Sequence, residues 1–328
     1  MSKTSRWLKT AIALSQTSRS LGFQGIDIIC RAHLRVCPYP TKSQGANNKR
    51  TEAIELNVIT VNVSADFTTP PGVPPWNERK SLLVETLLTA QPHLIGLQEV
   101  TTTQRRFLET ALSDFSVLTV PVVDADPALV TAWRAKYAVY GLPDIPNPYE
   151  LLLFYRTTEF ALIASGHLWL SPTPERPSIG FGNVAPRAVL WAHLCHRPSG
   201  LAFICFNTHI DHRCPDPMVA LCRQRFADFL PLNVPLIFIG DFNFNPATAN
   251  YALLHSDGWL DPHQVAEAAE VPTFLYNTPD LMPGGRIDHI LYRGHGLDPL
   301  AWSRLASPDP SRRMSDHDPV LVRFTLEN

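Results

Sequence analysis

The sequence predicts an α/β protein in which β-sheets pack face to face and helices cover their outer sides. Eight short apolar runs, rich in β-branched and aromatic residues, alternate with polar connections and only a few helix candidates. Many short buried strands with few helices between them are typical of stacked sheets. No internal repeat is visible, so the runs are expected to belong to one domain.

Length and composition limit the class of protein. With 328 residues, of which 45% are hydrophobic, the chain can bury a sizeable core. It contains no apolar run long enough to span a membrane, and its N-terminus lacks the apolar stretch of a secretory signal. We therefore expect an intracellular protein, cytoplasmic by default, that does not insert into membranes.

Charge is distributed unevenly along the chain. Residues 1–50 contain nine Lys and Arg against one acidic residue, and their net charge of +8 leaves −10 for residues 51–328 within the overall −2. We expect residues 1–52 to form a basic, disordered N-terminal extension and residues 53–328 to form the folded domain. A mitochondrial targeting segment is the alternative for the extension. The acidic body argues against a duplex-specific nuclease.

The first predicted strand is the run LNVITVNV, which is apolar on both faces, as in a strand covered on both sides. A helix is predicted next, with Asn77 as its N-cap and Leu83, Leu87 and Ala90 on one face. Pro92 is expected to end that helix. The run HLIGLQEV predicts the second buried strand.

Later elements follow the same pattern. Further strands are predicted from the runs LLLFYR, AVLWAHLC, LAFICFNTH, PLIFIGDF, IDHILY and VLVRFTL, and helices near 217–230 and 247–255. Prolines concentrate in the connections, notably TTPPGVPPW and LSPTPERPSIGFGNVAPR. Connections of such length in a compact domain are more often binding loops than idle ones.

Polar and titratable residues follow the apolar runs at the points where the strands end. They are Asn62, Glu99, Asn207, His209, Asp241, Asn243, Asp288, Asp316 and His317. Such groups are costly to bury without partners, so we expect the strands to converge and the groups to satisfy one another. Carboxylate and carboxamide oxygens suit Mg²⁺ or Mn²⁺.

Five segments, GLQEV, NTHIDH, GDFN, GGRIDHI and SDHDPV, occur in the order and at roughly the spacing of the endonuclease/exonuclease/phosphatase superfamily, which the chain resembles over residues 56–326. The resemblance implies a four-layer α/β/β/α sandwich of two mainly antiparallel sheets flanked by helices. It also implies a divalent cation at one end of the sheets. The stretches between the motifs resemble a small hydrolase-type subgroup of this superfamily.

The resemblance implies roles for the strand-end residues. Glu99 matches the principal magnesium ligand, with Asn62 and Asp316 beside it. Asp241 matches the group that orients and deprotonates the attacking water, and Asn243 its partner in positioning.

Further roles follow from the same motifs. His209 is expected to donate to a phosphate oxygen, and Asp288 to hold the ring of His317. Asp318 is expected to be a capping or solvated carboxylate, and His289 to point to the opposite face of its strand as a core or sheet-surface histidine.

Substrate contacts are expected from four residues. Arg187, Glu150 and Arg79 match recurring positions of the subgroup, and Asn207 ends an apolar strand beside His209. The planar guanidinium of Arg187 could grip a phosphate, and an ion pair within the fold is its alternative.

The preferred function is a magnesium-dependent phosphoric ester hydrolase, with Mn²⁺ as the other candidate ion, acting on a small or single-stranded phosphorylated substrate and expected to be monomeric. A nuclease of low sequence specificity for DNA or RNA is the first alternative, with the basic extension contacting phosphates. A catalytically silent scaffold is the remote one.

Overall fold

The structure is a computed structural model, and it describes residues 53–68, 70–121, 127–138, 149–183, 185–275, 285–307, 309 and 311–327. The predicted extension, residues 1–52, and its targeting alternative lie outside the described residues. All the described residues belong to one compact unit.

The first sheet contains six strands in the order β10-β11-β1-β2-β4-β3. Their bounds are β1 Ile54–Asn62, β2 Leu94–Val100, β3 Phe115–Pro121, β4 Glu150–Arg156, β10 Leu297–Arg304 and β11 Val320–Leu326. Neighbouring strands are antiparallel except for β1 and β2, which run parallel.

The second sheet contains five strands in the order β5-β6-β7-β8-β9. Their bounds are β5 Phe160–Trp169, β6 Ala188–His196, β7 Ala202–His209, β8 Leu236–Asp241 and β9 Asp288–Arg293. Here β7 and β8 are the parallel pair, and the other neighbours are antiparallel.

Six α-helices and one 3-10 helix connect these strands within the described residues. The α-helices are α1 Trp76–Thr89, α2 Thr102–Ala111, α3 Pro127–Ala138, α4 Pro215–Phe226, α5 Ala249–Ser256 and α6 Pro262–Val265, and the 3-10 helix is Ala227–Leu232. None of the helices in the described part of the chain has both the length and the apolar character needed to cross a membrane.

The core is divided into three layers, because each sheet buries both of its faces. Residues such as Val58, Leu94 and Phe203 fill the space between the sheets. Outside the first sheet, Leu83 and Leu87 of α1 pack on β1, β2 and β4. Outside the second sheet, α4 and α5 pack on β6, β7, β8 and β9. The predicted α/β/β/α sandwich of two mainly antiparallel sheets is thus confirmed.

Local predictions fared unequally. The predicted strands are present, and the helices predicted near 217–230 and 247–255 appear as α4 and α5. The N-cap assigned to Asn77 is wrong, since α1 begins one residue earlier, after Pro75, and has no side-chain cap. The sequence patterns missed β3, β5 and β10, three edge strands whose partly exposed residues lack a continuous apolar run.

Candidate active site

Strand pairing brings the titratable strand ends to one end of the sandwich. In the parallel pair β7 and β8, His209 lies beside Asp241, and in the antiparallel pair β8 and β9, Asp241 lies beside Asp288. The first sheet contributes Asn62, whose Nδ2 donates to Asp241 Oδ2 over 3.1 Å. The two sheets therefore meet at Asp241.

Asp241 is the most highly connected carboxylate of this cluster. Its Oδ1 accepts the backbone N–H of Asn243 at 2.9 Å. Its Oδ2 lies 3.5 Å from His209 Nε2 and 3.8 Å from His317 Nε2. Burial, with the nearby Asp288 carboxylate, raises the pKa of Asp241 to about 7, although His317, Asn62 and Asn243 oppose the rise. A carboxylate with such a pKa is suited to accept a proton near neutral pH.

Asp288 and His317 form a buried pair. His317 Nδ1 lies 2.8 Å from Asp288 Oδ2. Burial alone would lower the pKa of His317, but the carboxylates of Asp288 and Asp241 outweigh it and raise that pKa well above the usual range. Backbone bonds hold both partners, because Asp288 N donates to Thr273 Oγ1 at 3.1 Å and His317 N donates to Ser315 Oγ at 3.3 Å. His317 is thus held as a donor facing Asp241.

Glu99 occupies a strained position at the end of β2. Its φ is +58°, in a region where residues other than glycine cost about 1–3 kcal/mol. The pairing of β2 with β4 shifts register between Leu97 and Val100, so the chain bulges at Glu99. Glu99 Oε1 lies 3.9 Å from His209 Nδ1. Such strain is typical of sites that must aim one side chain.

The oxygen atoms of Asn62, Glu99 and Asp316 suit a hard divalent cation. Burial and repulsion from the Asp316 carboxylate raise the pKa of Glu99, while Arg187, His317 and a hydrogen bond from Asn62 lower it. Two mutually repelling carboxylates with an amide oxygen are the donor set that Mg²⁺ or Mn²⁺ prefers. The residues present therefore fit such an ion.

A second group of possible ligands adjoins the first, through the hydrogen bond from Asn62 to Asp241. Asp241, Asp288 and His317 each offer one ligand atom, and these atoms lie within 4.8 Å of one another. His317 Nδ1 is bonded to Asp288 and its ring favours the protonated form, so this group is suited to proton handling as well as to metal binding.

Asn243 contacts Oδ1 of Asp241, whereas His209 faces Oδ2. Asn243 has φ +54°, and its Nδ2 donates to the Ile210 carbonyl at 2.9 Å, so it shapes the chain after β8 around Asp241. His209 stacks on Tyr149, with ring centroids 6.3 Å apart and an interplanar angle of 22°. The sequence analysis missed Tyr149, although it directly precedes the strand that begins at Glu150.

Arg187 lies close to the cluster but is engaged by the fold. Its Nε is 3.6 Å from Asp211 Oδ2, and its charge lowers the pKa of Glu99. Asp211 is fully buried and was missed, although it stands two residues after His209 in the motif NTHIDH. Both alternatives given for Arg187, phosphate contact and internal ion pair, are compatible with this placement.

Asn207 has its side chain buried between the sheets. Its Nδ2 donates to the carbonyls of Leu97 and Leu152, and its Oδ1 accepts from Gln98 Nε2 at 2.7 Å. These bonds connect β7 to β2 and β4. Asn207 is thus placed to hold the sheets together rather than to touch a substrate.

Glu150 and Arg79 are likewise bonded within the fold. Glu150 Oε2 accepts from Arg105 NH1 at 2.9 Å, and Arg79 donates to three backbone carbonyls and is 2% exposed. Both side chains are thus engaged within the fold, although the charge of Arg79 acts on the Asp316 and Glu99 carboxylates.

Two further expectations concern residues beside the motifs. Asp318 pairs with Arg304, with 3.1 Å between Oδ2 and NH1. His289 is fully buried on the opposite face of β9 from Asp288, and its Nε2 lies 3.0 Å from the Phe244 carbonyl. The predicted core role of His289 is confirmed.

Comparison with protein families gives a match over most of the chain. The Endonuclease/Exonuclease/phosphatase family matches residues 59–317, a range that contains every member of the cluster. The chain belongs to this family. The resemblance inferred from the five motifs is therefore confirmed.

Individual relatives are more distant. An uncharacterized protein of Acanthamoeba polyphaga mimivirus is 26% identical over 162 residues, which are 48% of this chain and 54% of that protein. The chain thus spans about half the length of this curated relative.

Solved structures share the fold across most of this chain. Mannosyl-6-phosphatase Bt3783 of Bacteroides thetaiotaomicron has a TM-score of 0.68 at 24% identity, covering 82% of this chain and 99% of that one. TDP2 of D. rerio, complexed with a single-strand DNA product, has a TM-score of 0.60 at 17% identity, covering 82% of this chain and 98% of that one. At these identities the likeness establishes the fold.

Proposed function

We propose that the chain is a divalent-metal-dependent phosphoesterase that hydrolyses phosphate esters by in-line attack of water. One observation carries the proposal: at the end where both sheets meet, Oδ2 of the buried Asp241 carboxylate faces the Nε2 atoms of His209 and His317, and Nδ1 of His209 faces the Glu99 carboxylate. Membership of the Endonuclease/Exonuclease/phosphatase family supports the same reaction class.

Asp241 acts as the general base in this proposal. Its Oδ1 accepts the Asn243 backbone N–H and its Oδ2 accepts from Asn62 Nδ2, and the second lone pair of Oδ2 accepts a proton from a water molecule placed in line with the ester bond. The oxygen of that water forms the new bond to phosphorus as the ester oxygen leaves. The pKa of about 7 lets Asp241 take the proton and release it again at neutral pH.

His317 and His209 stabilise the charge on the phosphoryl group. Pairing with Asp288 keeps His317 protonated, so its Nε2 can donate to an equatorial phosphate oxygen. His209 is held by the Tyr149 ring and also donates to a phosphate oxygen. Asn62, Glu99 and Asp316 would hold a Mg²⁺ or Mn²⁺ ion, which when bound supplies Lewis-acid stabilisation of the phosphoryl and leaving oxygens.

A small or single-stranded phosphorylated substrate fits the charge of the chain better than duplex DNA. The net charge of residues 51–328 is −10, whereas duplex binding usually requires a basic face on the folded domain. A mannosyl-6-phosphatase of the same fold acts at a single phosphate group, as its name states.

Substrate class is tested with a panel assayed in parallel from one preparation. Phosphate release and chain cleavage would be measured on sugar and inositol phosphates, nucleotides, single strands and duplexes, each with Mg²⁺ or EDTA. The expected result is turnover of small monoesters with Mg²⁺ and no turnover with EDTA. Chain cleavage without monoester turnover would replace the phosphatase with the nuclease alternative, and no turnover on any substrate would favour a silent scaffold.

A further inference from the structure

Arg79 is enclosed by backbone carbonyls at the end of β1. Its NH1 donates to the carbonyls of Val63 at 2.6 Å and Met314 at 2.7 Å, and its NH2 donates to the Ser64 carbonyl at 2.6 Å. The guanidinium also lies over the Trp76 ring, 5.0 Å from its centroid. At 2% exposure the side chain is out of reach of a substrate.

The three carbonyls belong to the two chain segments that carry Asn62 and Asp316. Val63 and Ser64 directly follow Asn62, and Met314 precedes Asp316 by two residues, although 235 positions separate it from Arg79. The same two segments are joined by Ser315, whose Oγ donates to the Asn62 carbonyl at 2.6 Å. Arg79 and Ser315 thus fasten the end of β1 to the segment before β11.

The bend after β1 depends on this fastening. Ser64 has φ +55°, a left-handed conformation that turns its carbonyl towards Arg79. The Ser64 N–H donates to Asn62 Oδ1 at 3.0 Å, which orients the Asn62 amide so that its Nδ2 meets Asp241. A change at Arg79 would therefore be felt first at Asn62.

The charge of Arg79 also faces the carboxylates. Burial lowers its pKa to about 10, while the nearby Asp316, Asp66 and Glu99 carboxylates raise it, so the group stays charged at neutral pH. A lysine could keep this charge but not the planar fork that reaches three carbonyls at once.

We propose that Arg79 is a positioning residue for the cation site: its guanidinium fixes the spacing between Asn62 and Asp316 by joining the two segments that carry them. This rests on the cation site of the proposed function. Groups that orient metal ligands from behind typically change metal affinity about 10–100-fold when they are removed.

The test measures Mn²⁺ binding without substrate, by calorimetry or electron paramagnetic resonance. Arg79→Lys and Arg79→Met are expected to bind Mn²⁺ at least ~10-fold more weakly than the unaltered protein. The matched control is Arg156→Met. Arg156 also donates to a backbone carbonyl, that of Pro92 at 3.0 Å, but it lies at the end of β4 opposite to Glu150, which pairs with Val100 beside Glu99. Unchanged Mn²⁺ affinity in both Arg79 variants, with their melting temperatures retained, would overturn the proposal.

Chemical rescue separates positioning from general stability. In Arg79→Ala, added ethylguanidinium should restore Mn²⁺ affinity, whereas ethylammonium should not, since only the former reproduces the fork. If Arg79→Met fails to fold, Arg79→Lys and this rescue still decide the question, and equal effects of the two additives would count against the proposal. If the unaltered protein binds Mn²⁺ but hydrolyses no ester, the proposed function fails while the role of Arg79 is still measured.

Discussion

At the scale of single residues, the site depends on how Asp241 shares its surroundings with two histidines. Asp241 accepts from Asn62 and Asn243, and its Oδ2 faces the Nε2 atoms of His209 and His317. Its proton affinity is set by burial more than by any one neighbour. That arrangement favours proton transfer over a permanent ion pair.

Substituting either Asp241 or His317 should abolish most of the activity. We predict that Asp241→Asn or His317→Ala lowers turnover by about 10²–10⁴-fold, the usual contribution of a general base or acid. Turnover on the best substrate of the panel and melting temperature would be measured together. Asp257→Asn is the control, because Asp257 is a partly exposed carboxylate paired with Arg223 away from the cluster. An Asp241 or His317 variant with more than half the activity would refute the assignment.

Stability of the metal-free protein should fall as pH rises. The folded pKa of Asp241, about 7, lies above the usual aspartate value, near 4. Between these values the folded protein keeps a proton that the unfolded chain has released, so unfolding becomes easier with rising pH. His317 continues the same trend above about pH 6.5, since its stabilising contribution is complete below its unfolded pKa and is lost as pH rises through the raised folded pKa.

This dependence can be measured as melting temperature in EDTA across the interval between about pH 4 and 7. We predict a smaller decline in Asp241→Asn than in the unaltered protein, because the substituted amide does not titrate. Parallel curves for the two proteins would show that Asp241 has no raised pKa.

Residue identity alone predicted the cluster but not every contact. Glu99, His209, Asp241, Asp288 and His317 could be placed together because each follows or precedes an apolar run within a recognisable motif. Asn207, Glu150 and Arg79 are also polar residues, yet their hydrogen-bond partners come from distant segments that no local sequence pattern reveals. Burial, rather than residue type, decides their roles.

At the scale of elements, the close approach of β7 and β8 places His209 beside Asp241. Gly240 has φ +143°, and a Cβ added there would lie 2.0 Å from the Thr208 carbonyl oxygen. Glycine is therefore required at the position just before the catalytic candidate Asp241.

We predict that Gly240→Ala prevents correct pairing at the end of β8 and strongly lowers both stability and metal-dependent turnover. Gly258→Ala is the matched control, since Gly258 also has positive φ, +86°, but its nearest neighbour to an added Cβ is Arg293 Nε at 3.7 Å. The control should cost only the backbone strain, about 1–2 kcal/mol. Denaturant unfolding measures both, and equal losses would remove the special role of Gly240.

Well-buried strands were predictable, including the edge strand β9, whereas the partly exposed edge strands β3, β5 and β10 were not. Strands buried on both faces, such as β1, β2 and β8, appear in the sequence as continuous apolar runs. An edge strand such as β5 has an irregular burial pattern and a register shift between Leu162 and Ala164, so neither alternation nor a continuous run marks it. The bulge at Glu99 was equally invisible, because its strain is imposed by tertiary contacts.

At the scale of the whole molecule, charge separates residues 1–50 from the remainder. The first 50 residues have a net charge of +8 and residues 51–328 a net charge of −10. A phosphatase for small esters does not need the basic segment, whereas a nuclease would use it to contact the phosphate backbone.

We predict that a variant lacking residues 1–52 hydrolyses small phosphate monoesters at the unaltered rate. Rates would be compared at low and at physiological salt, with the full-length chain as the control. A loss of activity on deletion, together with steep salt dependence in the full-length chain, would contradict the small-substrate proposal and favour the nuclease.

The fold could be predicted because five motifs occur in order and each has a place on a strand end. The substrate could not, because specificity depends on loop shapes, and the sequence of the long connection between β5 and β6 shows its prolines but not its hydroxyl network. In that connection Ser171, Thr173 and Ser178 bond to one another, and this network fixes the loop.

The most direct test of the central claim is phosphate release by the unaltered protein, Glu99→Ala and Glu159→Ala, each in Mg²⁺ and in EDTA. Glu159 is the control glutamate, because it pairs with Arg156, the last residue of β4, at the end of that strand opposite to Glu150. We predict turnover that requires Mg²⁺, is retained in Glu159→Ala and falls at least ~100-fold in Glu99→Ala. Undiminished turnover in EDTA, or a Glu99→Ala protein as active as the Glu159→Ala protein, would contradict a cation-dependent site at Glu99.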